Sequence, residues 1–150
     1  MAEFRERPYS QFNYLVDLGT GDTDSAQAGF SEVSGLGVEV NIAEYRNGNE
    51  KNNTVRKITG SHKVPDITLK RGVIGATDLY EWLAEVRDGD QDAPRDITIQ
   101  LLAEDRSGPV VTWLLSEARP IKYTGPTLNG AGTELAIEEL VLACERIVME

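Results

Sequence analysis

The chain has 150 residues, 40% of them hydrophobic, and a formal net charge of −10 at pH 7, so we expect one domain over residues 1–150 with a substantial core. The acidic balance argues against nucleic-acid binding, which needs clustered Lys and Arg, and against docking on an anionic membrane surface. The single cysteine, Cys144, excludes an internal disulfide framework and a cysteine-rich metal site.

The first half of the chain predicts β-strands at Phe12–Leu18, Phe30–Val33 and Leu36–Arg46. In the longest of these, the apolar residues Leu36, Val38, Val40 and Ile42 alternate with small or polar ones. Such alternation is typical of a sheet that is buried on one face only. Further strands are predicted at Val55–Thr59 and Ile67–Lys70.

A polar segment, RNGNEKNNT, follows the longest strand at Arg46–Thr54 and contains no apolar residue. A stretch rich in Asn and Gly predicts an exposed loop or the tip of a long hairpin. Its length is hard to explain in a compact domain unless it contacts something, so we favour an interface over an idle loop.

One α-helix is predicted within Ala76–Gly89. Its apolar residues recur at the spacing i, i+3, i+4 and i+7, which places them on one face that must pack on a sheet: Leu79, Trp82, Leu83 and Val86. Asp78 and Glu81 have the spacing of a capping box at the helix start. Gly89 supplies the left-handed residue at which a helix ends.

The second half predicts strands at Ile97–Leu101, Val111–Leu115 and Ile121–Thr124, with a turn at Asp105–Pro109 between the first two. The C-terminal stretch Thr133–Met149 is rich in Glu, Leu and Ala, which favours helix, while several of its apolar residues share the parity of a strand. The pattern alone leaves helix and strand open.

Residues with catalytic chemistry are scarce. His62 is the only histidine, so a histidine metal site or a catalytic triad lacks its other members. Glu138 and Glu139 are adjacent and would point to opposite faces of a strand, which argues against a paired-carboxylate glycosidase site. We therefore predict no catalytic, cofactor-binding or metal-binding residues, and no enzymatic activity.

Several segments resemble the tail tube proteins of contractile-tailed phages, and in particular the inner tube subunits of phage-tail-like contractile injection systems. The resemblance extends in order over nearly the whole chain and includes the helix with Trp82. The segments that carry it are FSEVSGLGVEVNIAEYRNGNE (Phe30–Glu50), VRKITG (Val55–Gly60), ITLKRGV (Ile67–Val73) and RPIKYTGPTLN (Arg119–Asn129).

The resemblance implies a mainly β fold, in which two packed antiparallel sheets form a β-barrel-like domain with one external helix, and it favours strand for the C-terminal stretch. It also implies hexameric rings stacked into a hollow tube that a contractile sheath drives forward. Expected partners are further copies of the chain, the sheath protein, baseplate and spike proteins, tube-terminating proteins and a possible cargo in the lumen. Synthesis and assembly are expected in the bacterial cytoplasm, since the N-terminus MAEFRERPYSQF lacks the apolar segment of a signal peptide.

The resemblance assigns three sets of residues to surfaces of the tube. The subunit and ring interface is expected at Arg46, Asn47, Gly48, Asn49, Glu50, Lys51, Asn52, Asn53, Arg56 and Lys57. Strand parity predicts that Glu39, Asn41, Lys57 and Thr59 line the lumen, opposite Val40, Ile42 and Ile58. The outer face of the helix, with Glu81, Glu85 and Arg87, is expected to face the sheath.

The alternative function is that of a small monomeric β-barrel that binds a ligand or peptide in a pocket. It predicts a monomer of 16.5 kDa in solution, whereas a tube subunit forms large assemblies.

Overall fold

The computed structural model describes residues 2–150, which form nine β-strands, one α-helix (α1) and one 3-10 turn. The elements in chain order are β1 (Tyr14–Asp17), the 3-10 turn (Ala26–Ala28), β2 (Glu32–Ser34), β3 (Glu39–Tyr45), β4 (Arg56–Lys63), β5 (Ile67–Gly72), α1 (Asp78–Arg87), β6 (Arg95–Leu102), β7 (Pro109–Thr124), β8 (Ile137–Ala143) and β9 (Arg146–Met149). No helix in this described part is long and apolar enough to cross a membrane.

Seven strands form one antiparallel sheet in the order β1-β6-β7-β8-β5-β2, with β9 paired to β7. The remaining strands, β3 and β4, form a separate two-stranded antiparallel sheet. The prediction of a mainly β fold with two antiparallel sheets and one helix is confirmed. The large sheet is not closed into a barrel, because its path ends at β1 on one side and β2 on the other.

The long strand β7 connects the two halves of the large sheet. Its first part lies between β6 and β9, and its second part pairs with β8. Between them Glu117 has a φ of 53°, unusual for a residue with a side chain, and the pairing register shifts between Pro120 and Lys122. The two strands predicted at Val111–Leu115 and Ile121–Thr124 are therefore parts of one strand that is irregular in the middle.

Helix α1 packs its apolar face on the sheet, as predicted. Leu79 and Trp82 are buried, and the Trp82 indole N–H donates to the Ala93 carbonyl oxygen at 2.8 Å. Gly89 has a φ of 84° just after the helix, which confirms its predicted role at the end.

The predicted capping box is wrong. Asp78 is the first residue of the helix, Thr77 takes the N-cap position, and no side chain caps the first amides. The Asp78 carboxylate instead accepts hydrogen bonds from the guanidinium of Arg71 at 2.9 and 3.1 Å. Glu81 accepts a hydrogen bond from the Thr77 hydroxyl at 2.9 Å rather than reaching back to a backbone amide.

Arg71 is the centre of a buried polar network that joins the sheet to α1. It is only 1% exposed, and its Nε donates to Glu138, itself 3% exposed, at 2.8 Å. A second nitrogen donates to the Gln27 carbonyl oxygen in the 3-10 turn at 2.9 Å. The Tyr123 hydroxyl donates to the other oxygen of Glu138 at 2.6 Å, and this hydrogen bond raises the pKa of Tyr123 to about 12. Every member is paired, as a buried charged cluster requires.

The C-terminal stretch forms the strands β8 and β9, which confirms the strand prediction over the helix alternative. Leu140 and Leu142 are fully buried on the inner face of β8, together with Glu138. Cys144 follows β8 and is half-buried, and burial raises the pKa of its thiol.

Candidate assembly interface

The β3–β4 hairpin has no core of its own. Every residue of both strands is exposed, including Val40 at 48%, Ile42 at 50% and Ile58 at 52%. The prediction that the first long strand is buried on one face is therefore wrong for the isolated chain. The hairpin forms a sheet of its own, and the exposure of both strands shows that no second layer covers either of its faces.

The pairing register divides the hairpin into two faces. At its base, Glu39 pairs with Lys63 and Val40 with His62, whereas beyond a bulge at Gly60–Ser61 Ile42 pairs with Thr59. One face, called the Val40 face, carries Val40, Ile42, Glu44, Lys57, Thr59 and His62. The other, called the Asn41 face, carries Glu39, Asn41, Ala43, Tyr45, Arg56, Ile58 and Lys63.

This register corrects the shared face predicted for the four lumen residues. Glu39 and Asn41 share the Asn41 face, but Lys57 and Thr59 lie on the Val40 face, so the four side chains do not share one face of the hairpin. Ile58, expected to share a face with Ile42, lies opposite it. The reason is the bulge, because one extra residue in β4 reverses which parity of that strand points to each face.

The tip of the hairpin is held together by Arg46. Its guanidinium donates to the carbonyl oxygens of Glu50 and Asn52 at 2.8 and 3.0 Å, and to the side-chain oxygen of Asn53 at 3.2 Å. Glu50 also forms an ion pair with Arg56 at 3.0 Å. Among the predicted interface residues, Arg46, Glu50 and Arg56 are thus bonded within the hairpin. Gly48, Asn49 and Lys51 are exposed at its tip.

The hairpin also differs in charge from the rest of the molecule. Residues 39–63 contain five Lys or Arg and three Glu, a net charge of +2. Because the whole chain carries −10, the residues outside the hairpin carry −12. The hairpin is thus basic and carries exposed apolar side chains, whereas the rest of the chain is acidic.

The three helix residues expected to face the sheath are exposed on the subunit. Glu81, Glu85 and Arg87 are all exposed, whereas Leu79 and Trp82 of the same helix are buried. Tyr80 of the same helix is 49% exposed, and its ring meets Tyr123 of β7 edge to face with the ring centroids 6.2 Å apart.

His62 and Cys144 lie in different parts of the fold. His62 is exposed on the Val40 face of the hairpin, and Cys144 is half-buried after β8. Within residues 2–150 no three His, Cys, Asp or Glu side chains are grouped as a metal ion would need.

Comparisons with known proteins point to one family. The sequence pattern of the T4-like virus tail tube protein gp19 matches residues 10–148. No curated protein sequence matches the chain.

Solved structures with a similar fold come from contractile particles. The chain is 29% identical, with a TM-score of 0.82 over 97% of its length and 93% of the other chain, to a protein in an extracellular contractile injection system, the PVC sheath–tube complex in its extended state. It is 27% identical, with a TM-score of 0.82 over 100% of its length and 95% of the other chain, to a protein in the tube terminating cap of the anti-feeding prophage. Hcp1 from Flavobacterium johnsoniae is 15% identical with a TM-score of 0.53 over 91% and 93% of the two chains, and this likeness concerns the fold alone.

Proposed function

The chain belongs to the family of T4-like virus tail tube proteins, and we propose that hexameric rings of it stack into the inner tube of a contractile injection system or contractile phage tail. It is a component of a phage tail or a tail-like particle. Its function is mechanical, as a rigid conduit that the shortening sheath drives forward without enzymatic chemistry. A similar protein belongs to a baseplate described with six-fold symmetry, which supports the ring of six.

The observation that carries this proposal is the exposed β3–β4 hairpin. A two-stranded hairpin is marginally stable alone, and its two free edges and exposed apolar residues invite pairing with other chains. Contacts with neighbouring copies would cover these edges, and contacts between unlike surfaces that close by rotation produce a ring. The alternative function, a monomeric ligand-binding barrel, does not explain why the hairpin leaves its apolar residues exposed.

The large sheet is proposed to be barrel-like with one opening. The irregular middle of β7 allows the sheet to curl, so that its edge strands β1 and β2 approach each other. The Tyr14 hydroxyl donates to the Phe30 carbonyl oxygen, just before β2, at 2.7 Å, which supports this curvature.

The two faces of the hairpin are proposed to have different surroundings in the tube. Val38, Val40 and Ile42 form an apolar stripe of alternate residues, with exposures of 60, 48 and 50%. We therefore assign the Val40 face to contacts with protein. Glu39 and Asn41, on the opposite face, are assigned to the lumen, where polar side chains meet water.

The remaining surfaces are assigned by their exposure. The tip residues from Arg46 to Asn53, which include the exposed Lys51, contact a neighbouring subunit. Glu81, Glu85 and Arg87 face the sheath protein. Baseplate and tube-terminating proteins contact the ends of the tube, as the titles of similar structures indicate for their own proteins. The particle is assembled in the bacterial cytoplasm.

Thiol labelling of assembled tubes tests the assignment of the faces. In a Cys144→Ser background, the Asn41→Cys variant should react quickly with a small maleimide and slowly with a bulky one, since only the small reagent enters the lumen. The matched Thr59→Cys variant should be protected from both reagents. Both variants should react quickly as unassembled subunits. Equal and fast labelling of both positions in tubes would contradict the assignment.

Replacing residues 47–53 with a short turn tests the assembly role of the tip. The tip contributes no buried side chain to the core, so the subunit should remain folded and soluble by circular dichroism. Electron microscopy should show no long tubes. Normal polymerisation of this variant would contradict the role of the tip, and a parent protein that remains a 16.5 kDa monomer would favour the ligand-binding alternative.

A further inference from the structure

Two turns of the chain place an asparagine directly before an exposed glycine. Asn47 and Gly48 open the turn at the tip of the hairpin, where the Glu50 amide donates to the Asn47 carbonyl oxygen at 3.1 Å. Asn129 and Gly130 open a second turn, in the loop between β7 and β8. Neither pair lies within a strand or a helix, so no regular backbone pairing holds these residues.

Glycine leaves its own backbone nitrogen accessible, because it has no side chain to shield it. At Gly48 an added Cβ atom would meet no other atom within 4 Å, and the Gly48 N–H donates no hydrogen bond to any residue of 2–150. The other asparagines of the tip, Asn49, Asn52 and Asn53, each precede a residue that has a side chain. Only Asn47 in the tip is therefore followed by an unshielded backbone nitrogen.

The side-chain amide of Asn47 is held by a hydroxyl group. The Tyr45 hydroxyl, on the last residue of β3, donates to the Oδ1 atom of Asn47. A donor in this position stabilises the negative charge that develops on Oδ1 when a nucleophile attacks the side-chain carbonyl carbon. At Asn129 the Oδ1 atom accepts instead from the Ala131 backbone N–H at 3.1 Å. The two Asn–Gly steps thus offer the same chemistry with different donors.

We infer that Asn47 is a site of spontaneous deamidation, a modification that goes beyond the proposed tube function. The Gly48 nitrogen loses its proton to hydroxide and attacks the Cγ atom of Asn47, which forms an N–C bond and closes a succinimide ring. The Cγ–Nδ2 bond breaks, and Nδ2 leaves as ammonia after taking a proton from water. A water molecule then opens the ring at either carbonyl, which leaves aspartate or isoaspartate at position 47. No electrons are transferred, and no enzyme takes part.

The products change the charge and the shape of the tip. Each conversion adds one negative charge, which lowers the net charge of residues 39–63 from +2 to +1. The new carboxylate is on the residue whose backbone N–H donates to the Glu50 carboxylate at 3.4 Å. Isoaspartate also adds one carbon to the main chain, inside the turn that the Glu50 amide closes at 3.1 Å. Both products therefore disturb the contacts that Arg46 and Glu50 make within the tip.

Incubation of the purified protein at mildly alkaline pH, followed by mass spectrometry, tests the inference. Trypsin cleaves after Arg46 and Lys51, so the peptide of residues 47–51 contains Asn47 together with Asn49 as an internal control. Fragment ions should place the mass gain of an acid on Asn47, while Asn49 stays an amide. Heavy-oxygen water in the incubation labels the new carboxylate and separates this conversion from one during digestion. Equal conversion of the two asparagines, or none, would overturn the inference.

The Gly48→Ala variant is the matched control. The added Cβ enters open space and Gly48 does not have a positive φ, so the circular dichroism spectrum should be unchanged. Asn47 keeps its hydrogen-bond partners, yet its conversion should be lost, because the new Cβ shields the attacking nitrogen. Conversion that persists at the original rate in this variant would contradict attack by the Gly48 nitrogen.

Tyr45→Phe measures the contribution of the hydroxyl. A hydrogen bond is roughly twice as strong when its acceptor is charged, so removing the donor should slow the conversion of Asn47 by about fivefold. Asn129 is the reference within the same chain, since its Oδ1 accepts from a backbone N–H, and its rate should stay the same. A rate at Asn47 that does not fall, or equal slowing at both positions, would overturn the role of the hydroxyl.

Discussion

The β5–β8 pair and the β3–β4 hairpin are both antiparallel pairs with alternating apolar residues, yet their surroundings are opposite. Ile67 and Leu69 in β5 are fully buried, whereas Val40 and Ile42 in β3 are about half exposed. β5 lies between β8 and β2 in the large sheet, whereas the hairpin forms a separate two-stranded sheet whose residues are all exposed. Alternation therefore indicates that a strand face is to be buried, and leaves open whether the same chain or another copy buries it.

Their charged residues differ in the same way. In the β5–β8 pair, Arg71 and Glu138 are buried and fully paired, and they hold α1 in place. In the hairpin, Glu39 and Lys63 form an exposed pair at 3.8 Å that is screened by solvent. Substitutions in the two regions should consequently separate folding of the subunit from its assembly.

The largest effect on folding is expected for Trp82→Ala. Trp82 is 1% exposed and its loss leaves a cavity between α1 and the sheet, so the free energy of unfolding should fall by about 3–5 kcal/mol. Urea denaturation followed by circular dichroism measures it. Tyr80→Ala, on the exposed side of the same helix, should have a much smaller effect, and equal losses would place the helix on its other face.

Breaking the buried ion pair is expected to have the next largest effect. Glu138→Ala leaves Arg71 buried with only part of its partners, which should lower the free energy of unfolding by about 3 kcal/mol. Glu32→Ala, which removes the partner of the exposed Lys70, should cost less than about 1 kcal/mol. Similar losses in the free energy of unfolding for the two variants would mean that the buried ion pair stabilises the fold no more than the exposed one does.

The same network predicts a loss of stability at high pH. The hydrogen bond to Glu138 raises the pKa of Tyr123 to about 12 in the folded protein, above its ordinary value of 10.0. The folded state therefore retains the Tyr123 proton at pH values at which the unfolded state has lost it. The stabilisation from this hydrogen bond is present below pH 10 and is lost between about pH 10 and 12. Between these pH values the free energy of unfolding should fall less steeply for Tyr123→Phe than for the unchanged protein. Identical pH dependence in the two proteins would contradict the role given to the Tyr123 hydroxyl.

The smallest effect on folding is expected in the hairpin. Ile42→Glu changes an exposed side chain, so the free energy of unfolding should change by no more than about 0.5 kcal/mol. The same substitution places a charge on the Val40 face and should abolish tubes in electron micrographs. A clear loss of stability would show that this face packs within the subunit, and the contrast between the two regions would disappear.

The sequence by itself determined those elements whose signals are local. Alternation predicted most strands, apolar spacing predicted α1 with Trp82 buried, and Gly89 marked the helix end. The polar composition of Arg46–Thr54 predicted an exposed tip. These patterns arise within a few residues, where side-chain direction and backbone freedom are set by the chain itself.

Only the tertiary structure decided features that depend on distant residues. Thr133–Met149 is extended because β5 and β7 offer backbone partners, which overrides its helix propensity. Asp78 does not cap α1, because its carboxylate accepts a hydrogen bond from Arg71 at the end of β5. The faces of the hairpin follow from a bulge of one residue in β4. Such a bulge carries no periodic signal, yet it reverses every side chain beyond it, because residues in a strand alternate strictly between two faces.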